Sequence, residues 1–390
     1  MIYLDNAATS WPKPEETWQA MENFVRHIGA NPGRSGHRLS IEAGRIVLEA
    51  RVAVAELFGI EDPLRIVFTR NATEALNLAI YGILHPGDQV ITSSMEHNSV
   101  MRPLRALEKT GVEVQVIDSS PEGELDPQEV EQAIKGNTRL IALNHASNVV
   151  GTLIPLAEIG EIARRNEVTF CVDAAQTAGA YPIDVEDMKI DLLAFTGHKS
   201  LYGPQGTGGL YIREGLEGIL EPLMRGGTGS HSEFQEQPDF LPDRYESGTP
   251  NTVGLAGLGA GVGFILSQRP EQIRANEEAK TQLLIGGLES ISGVIIYGCR
   301  DSKRQIAVVS FNVVGLTPSE VVMEMEENFQ ILCRPGLHCA PAAHQTIGTF
   351  SQGTVRLSPG YFTTEEAIQV TLEAVGKIAA RVKERDVTHV

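Results

Sequence analysis

The chain has 390 residues, of which 42% are hydrophobic and 21% are charged, a composition typical of soluble globular proteins. Its formal net charge of −18 argues against nucleic acid or an anionic membrane as the main partner. No apolar run approaches the roughly 20 residues of a membrane-spanning helix. Residues 1–6 lack the basic and apolar segments of a signal peptide, and we therefore expect a cytoplasmic protein.

Short apolar runs alternate with helical patterns along the first half of the chain. This alternation predicts an α/β fold with a mostly parallel, seven-stranded sheet flanked by helices. The predicted strands cover residues 65–68, 89–92, 112–116, 140–143, 169–172, 192–195 and 209–212. The predicted helices cover residues 73–83, 99–110, 127–135 and 156–166.

The second half of the chain departs from this alternation. Residues 225–252 are rich in Gly and Pro and predict a long loop, which in a compact domain is usually functional. A helical run at 253–267 leads into predicted strands at 293–297, 305–313 and 354–358 and helices at 318–328 and 364–384. We therefore expect an N-terminal segment (1–14) packing with the small domain, a large domain (15–257) and a small α+β C-terminal domain (258–390).

Two of the predicted strands are followed by residues that can react with or bind a small molecule. Residues 192–195 run into the segment 196–199, which ends in Lys199, and residues 169–172 run into Asp173. A lysine at the end of a buried strand is costly to desolvate, and desolvation favours the neutral amine that attacks an aldehyde. Since an acid can keep a pyridine nitrogen protonated, this pair predicts a site for pyridoxal 5′-phosphate (PLP).

Other polar residues follow the predicted strands in the same way. Thr73, at a helix start, is a candidate phosphate ligand, although taken alone it is more typical of a plain helix cap. His97 is placed to stack on the cofactor ring, although taken alone it is typical of a surface loop. Gln176 is a candidate donor to the phenolic oxygen of PLP, and Thr196 and His198 can reach its phosphate.

The C-terminal part contains a second set of candidate residues. Cys339 lies in a loop bounded by Pro and Gly, beside Arg334 and His338, and cationic neighbours favour a reactive thiolate. Arg356, inside an apolar strand, indicates either an internal salt bridge or a binding site for a substrate carboxylate. Cys171, inside another apolar strand, is interpreted as a small buried hydrophobe.

The spacing of the cysteines indicates whether the chain forms disulfide bonds and whether it binds a metal ion. The chain has four cysteines, and their spacing forms no CxxC pair and no disulfide framework, as expected in a reducing compartment. A metal site at Cys333, His338, Cys339 and His344 is an alternative, but this spacing matches no standard zinc pattern. We therefore expect no metal.

Together these segments resemble the cysteine desulfurases, a group of class V aminotransferase-like PLP enzymes of fold type I. The resemblance rests on residues 3–8, 73–77, 96–97, 147–152, 173–176, 196–199, 246–251 and 334–340. The last of these, Arg-Pro-Gly-Leu-His-Cys-Ala, is similar to the branch of SufS-like enzymes and selenocysteine lyases. Residues 340–346 depart from the usual SufS-like pattern and indicate a separate subgroup.

The resemblance implies conversion of L-cysteine to L-alanine, with sulfur transferred to Cys339 as a persulfide. The implied catalytic residues are Lys199, Cys339 and His97. The implied PLP contacts are Lys199, which forms the Schiff base, Asp173, Gln176, His97, Thr73, Ala72, Thr196, His198 and Thr249. The implied substrate contacts are Asn148, Arg356, Arg334 and His338.

The resemblance also implies partners and leaves other functions open. Thr249 is implied to reach the cofactor of a second subunit in a homodimer, and a sulfur-accepting protein is a possible further partner. Alternatives on the same scaffold are selenocysteine lysis, C–S lysis and transamination. A non-catalytic protein that kept the fold, and a thiol-redox or metal protein centred on Cys333 and Cys339, are alternatives from other classes.

Overall fold

The structure is a computed structural model that describes residues 1–33, 36–230 and 233–388. It begins with strand β1 (Ile2–Tyr3), helix α1 (Glu15–Asn23), a π-helical turn (Phe24–Ile28) and helix α2 (Arg38–Phe58). Among the described residues, no helix is both long enough and apolar enough to cross a membrane.

Seven strands form the central sheet. They are β2 (Ile66–Thr69), β3 (Gln89–Ser93), β4 (Glu113–Ile117), β5 (Thr138–Asn144), β6 (Thr169–Asp173), β7 (Leu192–Thr196) and β8 (Gly208–Ile212). Their order is β2-β8-β7-β6-β5-β3-β4, and β8 runs antiparallel to both of its neighbours. The other neighbouring pairs are parallel, so the predicted mostly parallel, seven-stranded sheet is confirmed.

Helices cover both faces of this sheet. Between the strands lie α3 (Ala72–Ile83), α4 (Asn98–Glu108), α5 (Pro127–Gln132) and α6 (Leu156–Arg165). Because both faces are covered, the strands of this sheet bury apolar side chains on both sides. Phe170 and Phe195 are fully buried in the core on one face, and Cys171 is a fully buried free thiol in the core on the other. The interpretation of Cys171 as a small hydrophobe is therefore confirmed.

A long irregular segment leads from β8 to α7 (Thr252–Gln268), which α8 (Pro270–Glu289) follows closely. The predicted loop at 225–252 falls within this segment, although residues 231–232 lie outside the described residues. The expected boundary after residue 257 falls inside α7, which packs against α1 and α2. The division into segments 1–14, 15–257 and 258–390 stays a prediction.

The last part of the chain builds a smaller sheet. Its elements are β9 (Val294–Tyr297), β10 (Val309–Val313), α9 (Pro318–Phe329), β11 (Ile331–Leu332), β12 (Arg334–Gly336), α10 (Pro341–Thr346), β13 (Thr354–Leu357) and α11 (Glu365–Thr388). Four strands form an antiparallel sheet in the order β12-β13-β10-β9, covered by α8, α9 and α11. β11 pairs in parallel with β1, and Leu4 enters the same core.

The predicted strand at 305–313 is too long, because only its second half belongs to this sheet. The N–H of Ile306 donates to the carbonyl of Gly151 at 2.9 Å, and Gln305 forms a β-bridge with Thr152. The backbone of residues 305–306 is thus satisfied by the turn that follows β5. β10 therefore begins at Val309.

An ion pair fastens the long irregular segment to the central sheet. Glu246 accepts from the Nη1 and Nη2 atoms of Arg51 at 2.8 and 3.0 Å, and from the N–H of Phe68 at 2.6 Å. The Arg51 side chain is 4% exposed, and its guanidinium lies 4.5 Å from the centroid of the Phe68 ring. Loss of one partner from such a pair leaves the other charge buried and uncompensated.

Glu246→Ala should lower the free energy of unfolding by about 2–4 kcal/mol, because Arg51 would lose its counter-charge. Urea denaturation followed by circular dichroism measures this loss. Glu22→Ala is the matched control, since the ion pair of Glu22 with Arg26 is exposed. Equal midpoints for Glu246→Ala and the wild-type protein would contradict the prediction.

Candidate active site

The carboxyl ends of β3, β5, β6 and β7 meet at one edge of the sheet, where they border a cavity of about 230 Å³. Its lining residues are Asn71, Ala72, Thr73, His97, Ser99, Asn144, Ala146, Asn148, Asp173, Ala175, Gln176, Thr196, His198 and Lys199. The structure thus brings together nine of the residues predicted from sequence, namely Ala72, Thr73, His97, Asn148, Asp173, Gln176, Thr196, His198 and Lys199.

Lys199 lies three residues beyond the end of β7 and is half-buried at the cavity. The pKa of its amine is lowered to about 8, chiefly because of burial. The carboxylate of Asp173 opposes this shift, and the charges of Arg356 and Arg334 add to it. Half of the amine would therefore be neutral near pH 8, which is the form that can act as a nucleophile or a base.

Asp173 is the last residue of β6 and is 6% exposed. Burial raises the pKa of its carboxyl group, whereas the N–H of Ala175, at 2.9 Å from Oδ1, and the nearby Lys199 act in the opposite direction. A buried carboxylate beside a cavity is best stabilised by a cationic partner. A protonated pyridine nitrogen would be such a partner.

His97 forms one wall of the cavity at the start of α4. Its Nδ1 atom accepts from the N–H of Ser99 at 3.0 Å and lies 2.6 Å from the Ser99 hydroxyl. Burial, and then the charges of Lys199 and three arginines, lower the pKa of His97 to about 4. The ring is therefore neutral at physiological pH and suited to stacking on an aromatic cofactor.

The cavity has unsatisfied polar groups that fit a phosphate. Thr196 Oγ1 and His198 Nδ1 are buried and have no hydrogen-bond partner among the described residues. Ala72 and Thr73 begin α3, where the first N–H groups of a helix have no partner within the helix and form an anion site. Together with Lys199 and Asp173, these groups fit PLP.

Arg356 lies in β13, behind the cavity, and is 1% exposed. Its Nη1 donates to the carbonyl of Asn148 at 3.0 Å, and its Nη2 donates to Asp5 Oδ1 at 2.8 Å. Arg356 therefore forms the internal salt bridge that the sequence left open as an alternative. Its Nε has no hydrogen-bond partner among the described residues.

Cys339 follows β12 in an exposed position. Its carbonyl accepts from the N–H of Asn98 at 2.9 Å, and the carbonyl of His338 accepts from Asn148 Nδ2 at 2.6 Å. The Nη2 atom of Arg334 lies 4.0 Å from the sulfur of Cys339. Because Asn98 begins α4 and Asn148 lines the cavity, these bonds hold the cysteine loop at the rim of the cavity.

Two other candidate positions lie apart from this cavity. Thr249 lines a second cavity of about 260 Å³, with Arg70 and Glu246. The sulfur of Cys333 lies 3.8 Å from the sulfur of Met325, away from Cys339. Within the described part of the chain, no group of three or more His, Cys, Asp or Glu residues is placed to hold a metal ion.

Glu96 supports the site, although the sequence gave it no role beyond the Glu-His motif. It is fully buried, and it accepts from the Ser93 hydroxyl at 2.6 Å and from the N–H of Asn144 at 3.0 Å. Burial raises the pKa of its carboxyl group to about 8. Glu96 thus joins the ends of β3 and β5, immediately before His97 in the sequence.

The N-terminal segment also holds the site in a way that the sequence did not predict. The Ser10 hydroxyl donates to the carbonyl of Lys199 at 2.8 Å, and Lys13 Nζ donates to the carbonyl of His198 at 3.1 Å. Ser10 and Lys13 are separated from these partners by more than 180 residues. No local pattern marks such contacts.

The amine of Lys199 should react with pyridoxal, and borohydride reduction would trap the product. The yield should reach half of its maximum near pH 8, because only the neutral amine adds to an aldehyde. Exposed lysines should follow their usual pKa of about 10.4. Mass spectrometry of the Lys199 peptide measures the yield at each pH. Asp173→Asn should move the midpoint to lower pH, because it removes the charge that favours the ammonium form. A midpoint near 10 would contradict the prediction.

Comparison with known proteins agrees with this geometry. Residues 2–370 match the family Aminotransferase class-V. A probable cysteine desulfurase of Methanothermobacter thermautotrophicus is 36% identical, over 97% of this chain and 94% of that protein. The apo cysteine desulfurase of Thermococcus onnurineus NA1 superposes with a TM-score of 0.92 at 35% identity, covering 97% of this chain and 94% of that one.

A second solved structure extends this agreement. The cysteine desulfurase CsdA of Escherichia coli has a TM-score of 0.86 at 29% identity, covering 98% of this chain and 94% of that one. The similarity thus extends over nearly the whole length of each protein. The chain belongs to the class-V aminotransferase family, and within that family to the cysteine desulfurases.

Proposed function

We propose that the protein is a PLP-dependent cysteine desulfurase that converts L-cysteine to L-alanine and keeps the sulfur on Cys339 as a persulfide. One observation carries the proposal above all. The cysteine loop is hydrogen-bonded to Asn148, which lines the same cavity as Lys199 and Asp173, and to Asn98, which lies between the lining residues His97 and Ser99 in the sequence. These bonds support a site in which a nucleophilic amine and a thiol act on the same substrate.

PLP would be held by residues at both ends of this cavity. Asp173 would face the pyridine nitrogen, His97 the ring, and Gln176 the phenolic oxygen, while Thr196 and His198 would donate to the phosphate together with the start of α3. The bound cofactor would supply an aldehyde for the Lys199 amine and a protonated ring that withdraws electrons from the substrate Cα.

Lys199 would then act as the base. Its amine accepts the proton from the substrate Cα at Nζ, a role that its lowered pKa of about 8 favours. The same ammonium can return a proton to carbon when alanine forms. The bonds from Ser10 and Lys13 to the backbone of residues 198–199 fix the start of this side chain.

Arg356 and Asn148 would bind the substrate carboxylate. The Nε of Arg356 has no hydrogen-bond partner in the described part of the chain, and its Nη2 donates to Asp5. A carboxylate that reaches Arg356 therefore meets a partly satisfied guanidinium and competes with Asp5 for it. Arg334, at the rim of the cavity, is a second cation for the same carboxylate, and His338 supports it through its Nε2 bond to the Arg334 carbonyl.

Cys339 would accept the sulfur. Its thiolate attacks the substrate sulfur, a sulfur–sulfur bond forms, and the bond from Cβ to that sulfur breaks with its electron pair left on the carbon side. Protonation of that carbon gives alanine, so the balance is L-cysteine plus thiol to L-alanine plus persulfide. The Nη2 atom of Arg334 lies 4.0 Å from the sulfur of Cys339, so its guanidinium would help to position the thiol at the rim of the cavity.

Incubation with L-cysteine should add one sulfur atom to the peptide that contains Cys339, as measured by mass spectrometry. Cys339→Ser should abolish both this addition and alanine formation from cysteine, yet retain the absorbance of bound PLP, because Cys339 does not line the cofactor cavity. Alanine formation by Cys339→Ser at the wild-type rate would contradict the role of Cys339. Pyruvate and sulfide, or a keto acid, would instead indicate C–S lysis or transamination.

The active form is proposed to be a homodimer, in which Thr249 contacts the PLP phosphate of the other subunit. Thr249 lines a separate cavity of its own chain. On α2, Ile41, Leu48 and Val52 are 65%, 48% and 44% exposed, an apolar stripe at helical spacing. Such a stripe is typical of an interface, and the second copy would cover it. A sulfur-accepting protein would remove the persulfide.

Mixed dimers can test the position of Thr249. A dimer of one Lys199→Ala subunit and one Thr249→Val subunit contains one intact site if Thr249 acts across the interface. At saturating PLP it should therefore show about half of the wild-type activity, and its one functional site should bind PLP with wild-type affinity. Thr249→Val homodimers should bind PLP roughly tenfold more weakly for loss of one hydrogen bond. A mixed dimer that binds PLP as weakly as the Thr249→Val homodimer would contradict the prediction.

A further inference from the structure

The cysteine loop contains two consecutive non-glycine residues with left-handed backbone. The φ angle is +48° at His338 and +59° at Cys339. This conformation is unfavourable for residues with a side chain and persists only where the surroundings enforce it. The bonds from Asn148 and Asn98 to the two carbonyls hold the loop on the side of the cavity.

His344 supports the loop on its other side. It is fully buried in α10, and the centroid of its ring lies 5.6 Å from that of His338, with the two planes inclined by 30°. Its Nδ1 atom shares a hydrogen bond of 2.7 Å with the Thr349 hydroxyl, and its carbonyl accepts from the N–H of Thr349 at 2.8 Å. The His344 ring is thus fixed by Thr349 while one face packs on His338.

The imidazole rings of His338 and His344 are both neutral at physiological pH. Burial lowers the pKa of His338 to about 3, with Arg356 adding to the effect, and lowers that of His344 to about 4. His338 binds the Arg334 carbonyl through Nε2 at 3.1 Å, and its Nδ1 has no hydrogen-bond partner among the described residues. The orientation of the His338 ring therefore depends on that one bond and on packing against His344.

We propose that His344 is a positioning residue that braces His338 and so holds the thiol of Cys339 beside Arg334 at the rim of the cavity. The proposal rests on the proposed function, since acceptance of sulfur by Cys339 is the step that this brace supports. Loss of the brace would let residues 338–339 relax towards ordinary backbone angles. The thiol would then move away from Arg334 and from the substrate sulfur.

Two variants separate the parts of this brace. His344→Phe keeps a ring beneath His338 but loses the bond to Thr349, and His344→Asn keeps a polar partner for Thr349 but loses the ring. Gln345→Ala, at the exposed neighbouring position on α10, is the matched control. Thr349→Val removes the hydroxyl that binds His344, and Thr349→Ser retains it. This second pair leaves His344 unchanged and is used if the His344 variants do not fold.

Three measurements on the PLP-loaded protein distinguish positioning from general damage. They are the rate of Cys339 alkylation by iodoacetamide, kcat and KM for alanine formation from L-cysteine, and exchange of the L-alanine Cα proton in D2O. The exchange requires Lys199 but no thiol. His344→Asn should lower kcat roughly tenfold or more, because small misplacement of a reacting group is costly, while KM and exchange change by less than about twofold. Alkylation of Cys339 should slow severalfold, because the thiol would lose its contact with the Arg334 guanidinium.

Unchanged alkylation and kcat in both His344 variants would overturn the proposal. A parallel fall of all three measurements would also overturn it, because His344 would then only maintain the fold. Wild-type protein that forms no alanine from cysteine would refute the proposed function. Slower alkylation in His344→Asn but not in Gln345→Ala would in that case still support the brace.

Discussion

The arrangement of the site depends on one buried guanidinium, that of Arg356. It comes from the small sheet, donates to the Asn148 carbonyl on the cavity wall and pairs with Asp5 of the N-terminal segment. A buried charge is tolerated only where its partners compensate for lost hydration, so the three stretches must stay together. Asn148 links this ion pair to the cysteine loop, because its side chain donates a hydrogen bond to the carbonyl of His338. The cation that fixes the small sheet therefore also fixes the loop of Cys339.

The site has two parts, and different kinds of contact hold each part in place. The part around Lys199 and Asp173 rests on strand ends of the central sheet, whose hydrogen-bond ladder sets their spacing. The part around Cys339 rests on side chains, namely Asn148 on one side and the adjoining imidazole rings of His338 and His344 on the other. Rigid placement of a thiol on a loop requires such a second layer of contacts, because the loop backbone alone does not enforce it.

The sequence predicted the parts of the molecule that follow from local pattern. The seven strands of the central sheet were identified because buried parallel strands are apolar throughout, and residues at their ends, such as Lys199, necessarily meet at one edge. Contacts between residues that are distant in sequence were not predicted. Residues 305–308 are as apolar as a strand but bond to the turn after β5. Neither the pairing of Asp5 with Arg356 nor the packing of His344 on His338 leaves a local signal.

Electrostatics decides what the cavity binds. Burial keeps His97, His198, His338 and His344 neutral at physiological pH, so the histidines add no charge to the site. The positive charge comes from Lys199, Arg334 and Arg356, and the pKa values of Lys199 and Arg356 are both lowered by burial and by the other cations. An anion entering the cavity relieves this mutual repulsion. In a chain with a net charge of −18, this local group of cations therefore favours anionic ligands.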